Sequence, residues 1–220
     1  MLTVPLASRE EVARIAARGL LEIGAVHIRP DEPFTYTSGL KSPVYVDCRR
    51  IIGYPRLRSA LMQLGVATMA REAGLEAFDV VAGGETAGIP FAAWIADLLA
   101  LPMVYVRKEP KGFGRGTQIE GALGAGARVL LVEDLATDGG SKVKFADAIR
   151  AAGAKVSECL VVFHHDIFPD SVAALDAIGL RVHALARWRD VLDAAAASGA
   201  FPPASLAAVD AFLEAPLAWS

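Results

Sequence analysis

Five short runs of mostly apolar, β-branched residues, with helical periodicity between most of them, constrain this chain more than anything else in it. Strands are predicted over 78–82, 103–107, 129–133, 155–162 and 181–186, and helices over 88–100, 140–152 and 170–178. A strand that is apolar without alternation is buried on both faces, and a helix between two such strands covers one of those faces. "AAGAKVSECLVVF" shows one changeover, a helix ending at Gly153 and a valine-rich strand following. The fold class that follows is α/β, with a mostly parallel central sheet flanked by helices.

The flanking segments read differently. Ser8 and Glu11 form a capping box ahead of an apolar face at Val12, Ile15, Ala16, Leu20 and Ile23, which predicts a helix over 9–23. "FTYTSGLKSPVYVDCRR" is aromatic and β-branched, broken at Ser38-Gly39 and Lys41-Ser42-Pro43, as in a hairpin or two short strands about a turn. A long helix begins at Pro55 and stops at Gly74, and a helix from Arg189 to Ser198 precedes "FPPAS" and a last short helix. No internal repeat or low-complexity segment is visible.

With 220 residues, 54% of them hydrophobic, one domain with a modest extension is expected. A formal net charge of −3 gives no general reason to bind nucleic acid or an anionic membrane. Cys48 and Cys159 lie far apart, so neither a disulfide framework nor a zinc site is expected. No run approaches the ~18 apolar residues of a membrane span. The opening "MLTVPLASREEV" has neither the apolar core nor the basic start of a secretory signal, and the expectation is a soluble, cytoplasmic protein.

Two stretches carry chemistry. Residues 108–121, "KEPKGFGRGTQIEG", contain four glycines with Lys108, Lys111 and Arg115 against Glu109 and Glu120, a length and composition suited to a lid that closes over an anion, with a solvated surface loop as the alternative. "VLLVEDLATDGGS" (129–141) ends an apolar strand in Glu133 and Asp134 and continues into small residues at a helix start. In parallel α/β sheets ligands bind beyond the carboxyl ends of strands. Carboxylates repel phosphate but accept hydrogen bonds from sugar hydroxyls, whereas the amides and hydroxyls of Thr137, Asp138, Gly139, Gly140 and Ser141 at a helix head suit a phosphate. Neighbouring strand residues point to opposite faces, so both acids reach one ligand only if the chain turns there, as the small residues after them suggest. The bland alternative is an acidic turn in which Thr137 or Asp138 caps a helix. "GGETAG" (83–88) follows a strand but is not a dinucleotide fingerprint, and no Gly-Lys-Ser/Thr phosphate loop is present.

These stretches resemble a known family. "VLLVEDLATDGGS" is similar to the phosphoribosyl diphosphate signature of type I phosphoribosyltransferases. "FTYTSGLKSPVYVD" (34–47), "GGETAGIP" (83–90) and "VRKEPKGFGRGTQIEG" (106–121) resemble the orotate phosphoribosyltransferases in particular. The resemblance implies transfer of a 5-phosphoribosyl group from phosphoribosyl diphosphate to orotate, giving orotidine 5'-phosphate and diphosphate. It implies that Glu133 and Asp134 hold the ribose hydroxyls, that residues 137–141, with Leu135 and Ala136 before them, hold the 5-phosphate, and that Thr137 also lies near orotate. Arg107, Lys108 and Lys111 would engage diphosphate, with backbone help from 83–88. Lys111, Glu133 and Asp134 are the catalytic candidates, and Lys41, Tyr45 and Thr137 the base-binding ones. Magnesium would ride on the diphosphate, with no metal held by protein ligands alone. A homodimer is implied, the 108–121 loop reaching the neighbouring active site, with no nucleic-acid or membrane partner. The domain reading is an N-terminal helix and hood at 1–50, an α/β core at 51–190 and a helical tail at 191–220.

The chain departs from the family at three places. Thr37 stands where many members have Lys, and Phe113 where the family has a histidine. "VVFHHDIFPD" stands where many have an arginine that aids orotate recognition. His164 or His165 is the candidate there; the alternative is that both close a strand at the surface. A transferase for another nucleobase, or a regulatory protein that senses phosphoribosyl diphosphate, are the competing functions. Trp94 and Cys159 read as core.

Overall fold

The computed structural model describes residues 7–36, 39–110, 118–137 and 139–219. Thr37, Ser38, Lys111, Phe113, Arg115 and Asp138 fall outside them. A six-stranded sheet forms the centre, built from β5 (Val80–Gly84), β6 (Met103–Val106), β7 (Ile119–Glu120), β8 (Arg128–Ala136), β9 (Lys155–His164) and β10 (Arg181–Arg187). Their order is β10-β9-β8-β5-β6-β7, parallel throughout except for the antiparallel edge strand β7.

Helices cover both faces, as the apolar strands require. α1 (Arg9–Glu22), α2 (Pro55–Glu72), α3 (Gly88–Leu99) and α6 (Trp188–Ser198) share one core cluster, which includes Leu130, Val132, Val162, Phe91, Phe163 and Trp188. α4 (Gly140–Ala151) and α5 (Pro169–Ala177) share the other, with Leu131, Val161, Phe145 and Ile149. Successive strand residues thus divide between two cores. α7 (Pro203–Glu214) adds Phe212 and Leu213 to the first. The capping box of α1 is formed: Ser8 Oγ accepts from the Glu11 amide at 3.2 Å and Glu11 accepts from the Ser8 amide at 2.8 Å.

Three elements differ from expectation. β8 runs to Ala136, so the chain does not turn at Glu133 and Asp134; its ladder with β9 continues through Ala136↔His164 and keeps it extended. β1 (Val26–Ile28) was not anticipated and pairs antiparallel with β4 (Val44–Val46), while β2 (Phe34–Thr35) and β3 (Lys41–Ser42) form a separate hairpin. β7 lies inside the predicted lid and is two residues long, too short to show any periodicity; it brings the stems of that loop together through Val106↔Ile119.

The first strand of the large sheet lies in its middle. From β5 the chain passes to β6 on one side, then returns to β8 on the other. The β5–β8 ladder ends at Gly83↔Val132, so the two strands separate just where "GGETAG" and "EDLATDGGS" begin. Such a switch point leaves a crevice at the carboxyl edge. A Cβ on Gly88 would collide with the Glu133 carboxylate and approach the Val132 carbonyl to 2.6 Å. Gly88→Ala is therefore expected to cost roughly 1–3 kcal/mol, the range for overpacking a filled site, measured by urea unfolding against the parent.

Candidate active site

The end of β8 distributes its acids to opposite faces. Glu133 lies on the α4 side, where its carboxylate packs against the positions that Gly84 and Gly88 leave empty and beside Phe145. Its Oε2 accepts a 3.2 Å hydrogen bond from Lys142 Nζ, and both side chains are almost fully buried. Its Oε1 is buried with no hydrogen-bond partner. Asp134 lies on the other face, where Arg49, in the 3₁₀ turn Cys48–Gly53, contributes favourable charge. Burial raises both carboxyls above the ordinary range, and Lys142 pulls each back.

Beyond the acids the chain makes the expected small-residue loop. Ala136 accepts from the His165 amide at 2.9 Å, and the Thr137 carbonyl accepts from Ser171 Oγ at 3.0 Å, which fixes the loop to β9 and α5. Gly139 stands at the cap position of α4 with φ +74°, where L side chains are strained, so Thr137 does not occupy it; Asp138 lies outside the described residues. Gly139, Gly140 and Ser141 bring the positive end of the α4 dipole to the crevice, the arrangement that favours an anion.

The diphosphate candidates approach from β5 and β6. The Glu85 amide donates to the Val106 carbonyl at 2.8 Å, and Glu85 Oε2 accepts from the Lys108 amide at 2.9 Å, so "GGETAG" and the lid stem are joined by both backbone and side chain. Arg107 is partly buried, its guanidinium 4.0 Å from Glu120 and its amide bonded to Gln118 at 2.8 Å. Lys108 is exposed. Lys111 lies outside the described residues.

The hairpin region meets the same edge. Tyr45 stacks obliquely on Phe34 at 5.4 Å between centroids, and its hydroxyl accepts from Arg49 at 3.1 Å, whereas Lys41 is exposed. Tyr36 contacts the His165 ring edge-on at 6.1 Å and donates to the Val44 carbonyl at 3.2 Å, tying the β2–β3 hairpin to the end of β9. Neither histidine closes the strand at the surface: His164 and His165 are 5% and 4% exposed. His165 Nδ1 accepts from Trp188 Nε1 at 3.1 Å, within a cluster with Phe163, Phe168 and Trp188. His164 has no partner on either ring nitrogen, and burial lowers its pKa. Trp94 is partly buried against Phe91, with Arg58 4.3 Å over its ring. Cys159 is fully buried, its thiol pushed up to about 12.

Lys142 and Tyr36 were missed as site residues. The available signal for the first was a cation in the opening turn of a helix, the wrong sign for the dipole. Tyr36 had no signal apart from its aromatic neighbours.

Residues 60–173 match the phosphoribosyl transferase domain model. An orotate phosphoribosyltransferase of Cereibacter sphaeroides (strain KD131) is 57% identical over 219 residues, covering 100% of this chain and 94% of the relative. The chain belongs to the orotate phosphoribosyltransferase family. The crystal structure of the family's Aeropyrum pernix enzyme superposes with a TM-score of 0.71 at 33% identity, covering 80% of this chain and 96% of that one. That of Mycobacterium tuberculosis H37Rv in complex with 5-phospho-alpha-D-ribosyl 1-diphosphate gives 0.60 at 26% identity over 81% and 98%. Among the described residues, none of the helices is long and apolar enough to cross a membrane.

Burial is the largest cause holding His165 down to about 3, with His164 and Lys142 adding to it. Its ordinary value is 6.5, so the unfolded chain binds the extra proton first and stability falls as pH drops from about 6.5 toward 3. His165→Asn keeps an acceptor for Trp188 and removes this titration. Between pH 7 and 5 it is expected to lose about 2 kcal/mol less stability than the parent, read from urea unfolding at both values.

Proposed function

We propose that this protein transfers the 5-phosphoribosyl group of phosphoribosyl diphosphate to orotate, forming orotidine 5'-phosphate and diphosphate in pyrimidine synthesis. The observation that carries this reading is the crevice where β5 and β8 part, with two carboxylates on one strand end and a helix head directly after it. Full-length likeness to orotate phosphoribosyltransferases supports the same substrates.

The sugar and its phosphate have opposite requirements. Because β8 stays extended, Glu133 and Asp134 meet the sugar from opposite faces at the edge where β5 has parted, each accepting from a different ribose hydroxyl, and the buried, unpartnered Glu133 Oε1 is an acceptor that a hydroxyl would satisfy. An unmade bond to a buried acceptor costs ~1–3 kcal/mol, which a donating hydroxyl recovers. Residues 135–141 hold the 5-phosphate at the head of α4, with Thr137 reaching toward the base. The carboxylates and the phosphate are kept apart by the length of the loop between them.

In the transfer, the bond from the anomeric carbon to diphosphate breaks as that to orotate forms. The sugar gains oxocarbenium character and the leaving group gains negative charge. Arg107, Lys108 and Lys111 meet the second change, and the carboxylates and the anionic base face the first. No covalent nucleophile is required. Magnesium would be carried on the diphosphate, and among the described residues no group of three acids, cysteines or histidines forms a cage for it. There the ion would offset the negative charge of the leaving group beside Arg107 and Lys108.

The remainder of the reading concerns access. The β1–β4 region forms a hood over the base, with Tyr45 and Lys41 as base contacts and Tyr36 fixing the hairpin to His165. The 108–121 loop closes over the diphosphate, and in a homodimer carries Lys111 into the neighbouring site. Closure excludes water that would otherwise consume the activated sugar. Replacement of Lys111 by Ala is expected to lower turnover on the order of 10²–10³-fold, comparable with loss of one charge-stabilising donor. The assay is diphosphate release with magnesium, phosphoribosyl diphosphate and a panel of bases; turnover with another base and none with orotate would overturn the base assignment. Asp134→Asn is expected to weaken phosphoribosyl diphosphate binding by calorimetry, and unchanged affinity would remove it from the sugar site.

A further inference from the structure

Lys142 occupies an improbable position. It stands in the first turn of α4, where the helix dipole already supplies positive potential and a cation is unfavourable. Among the described residues it is the one buried lysine or arginine, its side chain 5% exposed. Its ammonium donates to Glu133 Oε2 at 3.2 Å, to Ser141 Oγ at 3.3 Å and to the Leu135 carbonyl. A lysine has three donors, and all three are used. A buried ion pair is a weak device for stability, since an apolar pair of similar volume often serves as well. The bonds instead join three parts of the site: the sugar-facing acid, the strand end before the phosphate loop, and the loop's last hydroxyl.

We propose that Lys142 is a positioning residue for phosphoribosyl diphosphate: by bonding Glu133 Oε2 together with Leu135 and Ser141, it fixes the sugar-side acid and the phosphate loop at a set distance from each other. This rests on the transferase reading above. Lys142 also keeps the carboxylate ionised in a niche that opposes charge. Gly84, Gly88 and Phe145 line the niche without a titratable group. Asp134 raises the Glu133 pKa, Lys142 and more distant Lys108 lower it, and Cys159 on β9 stays a neutral thiol. Removal of the ammonium therefore moves Glu133 protonation to higher pH, and a protonated Glu133 loses its anionic acceptor.

The test is calorimetric titration of phosphoribosyl diphosphate with magnesium into the full chain, from acid to neutral pH, for the parent, Lys142→Met, Glu133→Gln and the double variant. At neutral pH Lys142→Met is expected to raise Kd about tenfold, the scale of one charged hydrogen bond. The pH below which affinity falls should move upward in that variant. The double variant should lose less than the sum of the two single losses, because part of the effect of Lys142 runs through Glu133. A Lys142→Met protein with parental Kd across the pH range, whatever its melting temperature, overturns the proposal, as do additive losses in the double variant. Glu133→Gln keeps the lysine and its other bonds, so it tests the same point should Lys142→Met fail to fold. Its acid limb must shrink to the part that Asp134 and the diphosphate contribute, and an unchanged limb refutes the coupling. Because the titration contains no base, the two readings separate. A protein that shows this pattern but makes no orotidine phosphate fails on the base and keeps Lys142; one that makes it while its affinity ignores Lys142 does the reverse.

Discussion

β5 and β8 hydrogen-bond to each other only as far as Gly83 and Val132, and the rest of the molecule depends on where that ladder stops. Up to that point both strands are buried on both faces, between two apolar clusters, one on each side of the sheet. Beyond it β8 continues alone against β9, carrying Glu133 and Asp134 to opposite sides. A strand end with a partner on one edge and a gap on the other is one of the few places where carboxylates can be desolvated yet reachable. The gap exists because the chain begins this sheet in the middle and builds outward in both directions.

The charges around that gap compensate one another in sequence. Desolvation raises Glu133 and Asp134, and Lys142 lowers both. The same ammonium is held at a helix head whose dipole repels it, so neither the lysine nor the acid would be comfortable without the other. Glycines at 84 and 88 make the arrangement sterically possible, because any side chain there would take the space of the carboxylate. The "GGETAG" stretch thus has a packing role beside any contact its backbone makes with a ligand.

On the far side, His165 shows how a polar group can be built into an apolar cluster. Its Nδ1 accepts from Trp188, which requires the neutral ring, and burial enforces that state. Tyr36 rests on its edge and so positions the hairpin above the sheet. His165, which the sequence offered either as a base contact or as a water-facing strand end, is buried in the joint between hairpin and core.

The linear chain determined the apolar strands, their alternation with helices and the capping box, because each is a local or periodic property that no distant residue can change. It also marked Glu133, Asp134 and the small residues to Ser141, since acids at the end of an oily run are chemically out of place. Only the tertiary structure decided which way each acid faces, since direction depends on how far β9 keeps β8 extended. It alone brought Lys142 against Glu133, Tyr36 against His165, and Gly84 and Gly88 against a carboxylate some fifty residues on. Those contacts join segments remote in sequence, and a close approach between remote segments leaves no periodic trace in the chain.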